Sequence, residues 1–363
     1  MNVIVVGGGP AGLYLGLLLR SASRAIQVTV LEKLRPPKQT GFGVVLSDRT
    51  VAGLKAAHRS SHAAIAPALF HWDDIDIHVG GHCVRSSGHG FAGISRARLL
   101  AILRRQCEAR GVQVCLGERA TDLVTLAKST DLLVGADGVA STVRRAFGRA
   151  FEPRIHHGEN RFIWLGTTVP FSAFTFFFKP TQHGLFWAHA YRYAPGSSTF
   201  IVECSGETWR RARLCGATQG DSIGFLRTIF ADELSGHRLV GNRSGWRRFP
   251  TVTARRWKSR NVVLIGDAAH TAHFSIGAGT RLAMGDAICL SRALLSGGDI
   301  ESILERYEDS RRPQIEAVQE KAAVSESWFE RAERHVAAAP ADAARSLLLR
   351  ADVPHEPAIA ASM

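Results

Sequence analysis

The residues best able to do chemistry fall in a few short segments of the chain. In "VIVVGGGPAG", Gly7, Gly9 and Gly12 form a G-x-G-x-x-G pattern between an apolar run and a helical one. Such glycines serve a tight turn, a close backbone approach to a pyrophosphate, and close helix–strand packing, while the helix N-terminus receives the phosphate charge. Glu32, twenty residues past Gly12, ends the next apolar run, where a carboxylate can accept hydrogen bonds from a ribose. This set suits a dinucleotide and does not by itself separate FAD from NAD. In "TDLLVGADGVASTVR", Asp137-Gly138 follows a second apolar run, with Ser141 and Arg144 behind it. In "NVVLIGDAAHTAHFSIGAGTRLAMGDA", Gly266-Asp267 follows a third, and a loop carrying Gly277 and Gly279 comes next.

The elements that must position these groups follow from hydrophobic periodicity. Residues 3–6, 11–20 and 28–31 read as strand, helix and strand, a β-α-β unit. Residues 99–110 read as an amphipathic helix stopped by Gly111, then a strand over 112–116 and another over 131–134. From Arg161, the segments "RFIWLGTTVPF", "AFTFFFKP", "GLFWAHAYRY" and "STFIVECS" are aromatic and β-branched, and Pro, Gly and Ser separate them. They predict several antiparallel strands. Helical patterning returns at 222–234, 283–295 and 301–334. The expected fold class is α/β, with a Rossmann-like domain interrupted by a mainly antiparallel substrate domain and followed by C-terminal helices. The expected bounds are 1–75, 90–155 and 255–300 for the first domain and 76–89 and 156–254 for the second. Residues 301–335 form the helical region, and the Ala/Pro-rich stretch 336–363 is expected to be loosely held.

Within the antiparallel region, His189, Tyr191 and Tyr193 alternate and so share one face of a strand. A pocket face there makes His189 and Tyr191 candidate substrate-side catalytic groups. Phe174, Phe176, Phe177 and Phe178 are nearly continuous, so some must point away from the face that the others occupy. His270 and His273 form an HxxH with no acidic third ligand at metalloprotease spacing, and no metal is expected.

Three motifs in this order resemble the single-component FAD-dependent aromatic hydroxylases, the para-hydroxybenzoate hydroxylase type of flavoprotein monooxygenase. The resemblance covers nearly the whole chain. It implies that Glu32 binds the adenosine ribose and that Arg96, in "SRARLLAIL", meets the FAD pyrophosphate. It also implies that Asp137 and Gly138 serve FAD and the nicotinamide donor, that Asp267 bonds the ribityl chain, and that amides around Gly277 and Gly279 face the isoalloxazine. The implied reaction is NAD(P)H reduction of FAD, O2 capture as a C4a-hydroperoxide, and oxygen transfer to an electron-rich ring. Two positions depart from the family: His273-Phe274 stands where Pro-Pro is common, and Arg281 where Asn is common, placing a cation beside the flavin loop. The halogenase motif WxWxIP is absent, since Trp164 is followed by "LGT". "TGFGVVLSD", "NRFIWLGTT", "STFIVECS" and "HFSIGAGTRLAM" resemble a narrower branch acting on salicylyl-CoA, 2-aminobenzoyl-CoA and violacein-pathway indoles. Aryl thioesters, on CoA or a carrier protein, are the first expectation and indole-type substrates the second. A flavoprotein without turnover, acting as a binding module, is the competing class.

Composition narrows the remaining classes. The net charge is +13 over 363 residues, but the excess Arg is dispersed and forms no basic block interleaved with aromatics, which argues against nucleic acid. It suits an anionic cofactor and substrate, or simply an Arg-rich proteome. No apolar run reaches the ~18 residues of a membrane span, and "MNVIVVGGGPAG" reads as a buried strand, so a cytoplasmic protein is expected. The cysteines Cys83, Cys107, Cys115, Cys204, Cys215 and Cys289 form no CxxC pair and are expected to be buried free thiols.

Overall fold

The structure is a computed structural model that describes residues 1–35, 41–242, 244–350 and 360–362. Its first sheet has six strands, four from the N-terminal half of the chain and two from residues 258–264. From one edge its order is Lys258–Ser259, Val262–Leu264, Leu132–Gly135, Asn2–Val6, Gln27–Glu32 and Gln113–Leu116. Every pairing is parallel except the one made by the edge strand Lys258–Ser259. The strands are short, apolar and buried, as parallel strands covered on both faces must be. Their carboxyl ends bring Val6, Glu32, Gly135 and Leu264 to one rim, the place where open α/β sheets bind ligands. Helix Pro10–Ala22 follows the first strand and packs against Gly279–Leu295, the helix after the Gly266-Asp267 turn.

The second sheet has eight strands in the order Leu239–Val240, Arg161–Thr167, Ser197–Cys204, Gly184–Ala194, Phe174–Thr181, Ile75–Val79, His82–Ser86 and Ala360–Ser362. It is antiparallel apart from the pairing of Phe174–Thr181 with Ile75–Val79. The fold is therefore α/β with an antiparallel sheet inserted into the parallel one. Register sorts the sheet's side chains by the two-residue period. Trp187 and Phe162 both stand opposite Glu203, and His189 and Trp164 stand opposite Ile201, so this set shares a face. Ile163, Leu165, Ala188, Ala190, Phe200 and Val202 take the other face and pack under helix Gln219–Ile229 with Leu226 and Phe230.

The phenylalanine run alternates as expected, yet neither of its faces meets water. Phe176 and Phe178 pack with Trp328 and Phe329 of the long helix Ile300–Glu330, and Phe177 packs in the opposite cluster. The expectation of a loosely held tail is corrected over its first part. Residues Pro340–Leu349 form a helix whose Ala343, Ala344, Leu347 and Leu348 are buried against that same face. The apolar spacing "AARSLLL" explains this, because three- and four-residue steps make one helical stripe. Residues 351–359 and 363 of that stretch lie outside the described residues. The six cysteines are all unpaired; Cys107 and Cys204 are buried, whereas Cys215 is exposed. Among the described residues no helix is long and apolar enough to cross a membrane.

Candidate functional site

One cavity of about 750 Å³ runs from the carboxyl rim of the parallel sheet to the shared face of the antiparallel sheet. Gly7, Gly9, Glu32, Arg96, Asp137, Gly138, Asp267, Gly277 and Gly279 line its first part, and His189 and Tyr191 its second. Gly12 is not in the lining. It lies inside the fingerprint turn, where an added Cβ would meet the Gly7 carbonyl oxygen at 2.1 Å.

The glycine-lined part is built by hydrogen bonds between segments far apart in sequence. Glu32 accepts from the Gly8 N–H at 2.8 Å and from the Leu34 N–H at 2.8 Å, tying the fingerprint loop to the end of the second strand. Asp137 uses Oδ2 to accept from the Thr142 N–H at 2.6 Å and the Thr142 hydroxyl at 2.7 Å. Its Oδ1 is buried without a partner, an acceptor that lacks a donor. Arg144 donates to the Ala268 carbonyl at 2.7 Å and to the Val139 carbonyl, which joins the two Asp-bearing turns. Asp267 lines the cavity and is accessible there, although protein surrounds its carboxyl. Burial pushes its carboxyl above the ordinary carboxylate range, against the pull of His270, Arg96 and Arg144. Burial likewise lowers the Arg96 guanidinium, with Asp267 and Glu32 acting in the other direction.

Helices Pro10–Ala22 and Gly279–Leu295 both begin at this cavity, at Gly9 and Gly279. First-turn N–H groups have no intrahelical acceptor and carry the positive end of the helix dipole. The reading of Gly277 needs correction here: its N–H already donates to the Phe274 carbonyl at 2.9 Å. Its contribution is the turn itself, at φ +62°, a conformation that disfavours other residues. Arg281 stands beside this loop, in the first turn of Gly279–Leu295. It does not line the cavity, and burial together with the neighbouring guanidiniums of Arg311 and Arg49 lowers its pKa.

Sequence reasoning did not single out the support beneath the Gly266-Asp267 turn. The fully buried Asp286 accepts from the Gly266 N–H at 2.7 Å, from His270 Nε2 at 2.9 Å and from Arg311 Nε at 2.8 Å. His270, half of the HxxH, is thus part of a carboxylate network. His273, the other half, receives the Ser275 hydroxyl at 2.8 Å, and Ser275 meets Ser325 at 2.7 Å. Arg350 donates to the Ser275 carbonyl at 3.1 Å and to Ser325 at 3.0 Å. The loop is therefore tied to the C-terminal helices through Ser275, while His273 braces Ser275 within the loop. Asp76, His78 and Cys83 form a separate donor group within 4.8 Å, but Asp76 is held by both Nε and Nη2 of Arg85 at 2.7 Å.

The second part of the cavity is aromatic. Phe274 sits 4.8 Å from Phe162, 5.5 Å from His189 and 5.8 Å from Phe249 between ring centroids. Tyr191 stacks on Phe174 at 5.4 Å and donates its hydroxyl to the Gly43 carbonyl at 2.9 Å. That bond, with burial raising the phenol's pKa, makes Tyr191 a fixed wall rather than a proton carrier. His189 bonds Glu203 through Nε2 at 3.3 Å. Arg247 lies 5.2 Å above Phe162, and burial lowers its pKa. Among the described residues no carboxylate or carbonyl bonds its guanidinium. Arg248 donates to the Gly158 and His157 carbonyls, each at 2.7 Å.

These features fit FAD. Gly9 leaves room for a pyrophosphate, since a Cβ built on it meets nothing within 4 Å. Asp137 Oδ1 lacks a donor, and two helix N-termini face the same space.

Comparison with known proteins agrees. Residues 1–322 match the family described as FAD binding domain. The chain is 39% identical over 345 residues to salicyloyl-CoA 5-hydroxylase of a Streptomyces species, covering 93% of this chain and 66% of that relative's length. It is 36% identical to a 3-hydroxy-4-methyl-anthranilyl aryl-carrier-protein 5-monooxygenase of Streptosporangium sibiricum, covering 91% and 90%. It is 33% identical to protodeoxyviolaceinate monooxygenase of Chromobacterium violaceum, covering 93% and 91%. In fold it is similar to 2-methyl-3-hydroxypyridine-5-carboxylic acid oxygenase (TM-score 0.72, 19% identity, 91% and 92% covered). It is also similar in fold to a probable FAD-dependent monooxygenase of Pseudomonas aeruginosa (TM-score 0.71, 20% identity, 91% and 96% covered).

Proposed function

The chain belongs to the FAD-binding family of flavoprotein monooxygenases and is an FAD-dependent enzyme, and from that premise we propose that it hydroxylates an aryl thioester carried on CoA or a carrier protein. FAD, reduced by NADH or NADPH, supplies the activation of O2 and the transfer of one oxygen atom to an electron-rich ring. In this reading Gly7, Gly9, Gly12, Arg96, Asp137 and Gly138 form the pyrophosphate end and Glu32 takes the adenosine ribose. Asp267 takes the ribityl hydroxyls, and the helix start at Gly279, after the Gly277 turn, stabilises negative charge on the flavin ring by preorganised N–H groups. The aromatic wall of Phe162, Phe249 and Phe274 excludes water and orients the substrate ring. In the same reading, residues 1–75, 90–155 and 255–300 hold FAD, and 76–89 and 156–254 face the substrate.

The observation that carries the thioester reading is Arg247, a cation at the aromatic end with no acceptor of its own among the described residues. It suits the acyl oxygen or anionic extension of an aryl thioester. Two relatives named above act on such molecules. The test compares salicylyl-CoA and anthraniloyl-CoA with the free acids and with tryptophan-derived indoles, at low and high salt. Thioesters should be hydroxylated in preference, and their apparent affinity should fall as salt screens the charged contacts. Salt-insensitive hydroxylation of a neutral indole would replace this reading with the indole one. NAD(P)H oxidation that no aryl substrate stimulates would leave only a binding module.

A second expected result concerns the cofactor end. Asp267→Ala removes a charged acceptor from the ribityl chain, a loss of about 1.5–3 kcal/mol, so FAD should bind about tenfold more weakly or worse. Titration of flavin fluorescence measures this. Unchanged affinity would detach the Gly266-Asp267 turn from the flavin.

A further inference from the structure

Behind the aromatic end of the cavity, outside its lining, lies a buried carboxylate. Glu203 lies in the middle of the apolar strand Ser197–Cys204 and is 1% exposed. Its Oε1 accepts from Asn160 Nδ2 at 2.9 Å, and its Oε2 accepts from Trp187 Nε1 at 3.0 Å and meets His189 Nε2 at 3.3 Å. Asn160 and Trp187 present N–H donors, so Glu203 is an acceptor on both oxygens. Burial raises its pKa, but the bonds and charges of His189 and His273 outweigh that and hold it below the ordinary carboxylate range.

An ionised Glu203 fixes the tautomer of its neighbour. His189 must carry its proton on Nε2 to bond a carboxylate, which leaves Nδ1 as a lone-pair acceptor. Among the described residues nothing in the protein bonds Nδ1, and His189 lines the cavity. The ring is held by Phe176 at 5.1 Å, Phe329 at 4.8 Å and Phe274 at 5.5 Å, which come from three different segments. Burial lowers the imidazole's pKa, so the ring is neutral and ready to accept.

Resting on the monooxygenase reading above, we propose that His189 is a catalytic base that takes the proton of a substrate's phenolic hydroxyl, and that Glu203 is the positioning residue that sets its tautomer and steadies the imidazolium. The proton moves from the substrate O–H to His189 Nδ1. The bonding pair stays on the substrate oxygen, and no electron changes hands. The ring carbons ortho and para to that oxygen become more nucleophilic, the condition for accepting an electrophilic oxygen. The substrate class follows: an aromatic ring bearing an ionisable hydroxyl. The charged and titratable groups around the pair are Arg350 from the C-terminal helix, His273 from the flavin loop and Glu326 from the helix Ile300–Glu330. Arg350 and His273 are paired with Ser275 and Ser325, and Tyr191 is bonded to Gly43, so of these groups His189 is the one that lines the cavity as a neutral base.

The test uses 4-nitrophenol, whose phenolate is yellow, as a probe of the FAD-loaded protein, so it does not depend on the true substrate or on turnover. Difference absorbance across pH 5–9 gives the apparent pKa of the bound probe. In the wild type it should fall by about one unit or more below that of the free probe. His189→Gln should abolish the shift, and Glu203→Gln should remove most of it, both at unchanged FAD content and circular dichroism. A shift that persists in His189→Gln, or no shift in the wild type, overturns the proposal, whichever thioester or indole the enzyme accepts. In turnover, His189→Gln should lower kcat at neutral pH and recover as pH rises toward the substrate's own ionisation, while the wild type stays flat. A variant equally slow at all pH values would assign His189 to packing.

Discussion

Gly9→Val should fold, purify colourless and fail to take up FAD. Gly9 has φ −78° and ψ −176°, an extended conformation open to any residue, and a Cβ there meets nothing within 4 Å. Its neighbours in the motif differ. A Cβ on Gly7 would lie 2.3 Å from the Ala136 carbonyl oxygen at φ +116°, and one on Gly12 would lie 2.1 Å from the Gly7 carbonyl oxygen. Gly7 and Gly12 are thus required by the fold, whereas the fold leaves position 9 open to a side chain. Valine at position 9 fills the space through which a pyrophosphate approaches the helix N-terminus, and β-branching leaves it no rotamer that points elsewhere at no cost. The expected loss is about 3 kcal/mol or more, at least a hundredfold in FAD affinity. Apo-protein melting should be unchanged. Yellow protein with wild-type affinity would show that the phosphates lie elsewhere, and unfolded protein would contradict the open space at Gly9.

The sequence made the cofactor end legible because its chemistry is local. Three glycines and one acid at fixed spacing define a turn, a helix start and a strand end, and all lie within one β-α-β unit. The Asp137 and Asp267 turns could be read for the same reason, each sitting immediately after an apolar strand. What escaped the reading depends on pairings between distant segments. Glu203 is a lone acid in "FIVEC", and only the register of two strands sets it opposite Trp187 and diagonally within reach of His189, fourteen residues away. Tyr191 looked like a substrate group because alternation placed it on the pocket face. Its hydroxyl turned out to hold Gly43, 148 residues earlier in the chain. The Ala/Pro-rich composition of the C-terminus concealed a helix, since its apolar stripe acquires a partner only once Trp328 and Phe329 are in place. The sequence assigns Arg281 no role for a different reason. Proximity in sequence to Gly279 says nothing about which side of the helix a residue takes, and two positions along are about 200° around it.

Asp286→Ala should cost about 3–5 kcal/mol of stability, because it leaves a buried cation without its carboxylate. Asp286 is wholly buried and gathers three donors, from Gly266, His270 and Arg311. Removing it leaves Arg311 with Gln314 Oε1 at 2.8 Å and the Leu282 carbonyl at 3.1 Å, neither of which is charged. It also orphans the Gly266 N–H and His270 Nε2, whose Nδ1 is already without a partner. The midpoint of unfolding should fall by roughly 4–7 °C. FAD affinity should fall with it, since the Gly266 N–H fixes the turn that presents Asp267. Replacing both partners with apolar residues, Asp286→Leu with Arg311→Met, should recover most of the stability while FAD affinity stays low. That split separates the cost of an unpaired charge from the loss of a positioned turn. The pH dependence has a definite sign. Burial alone would raise the Asp286 carboxyl, but His270 and Arg311 outweigh it and hold it below the ordinary 3.8. A depressed carboxylate contributes fully above its unfolded pKa and loses that contribution as pH falls through the folded one. The gap between wild type and Asp286→Ala should therefore be constant from pH 5 to 8 and narrow only below about pH 4. A variant within 1 kcal/mol of wild type, or a gap that closes between pH 5 and 7, would remove Asp286 as the anchor of the flavin turn.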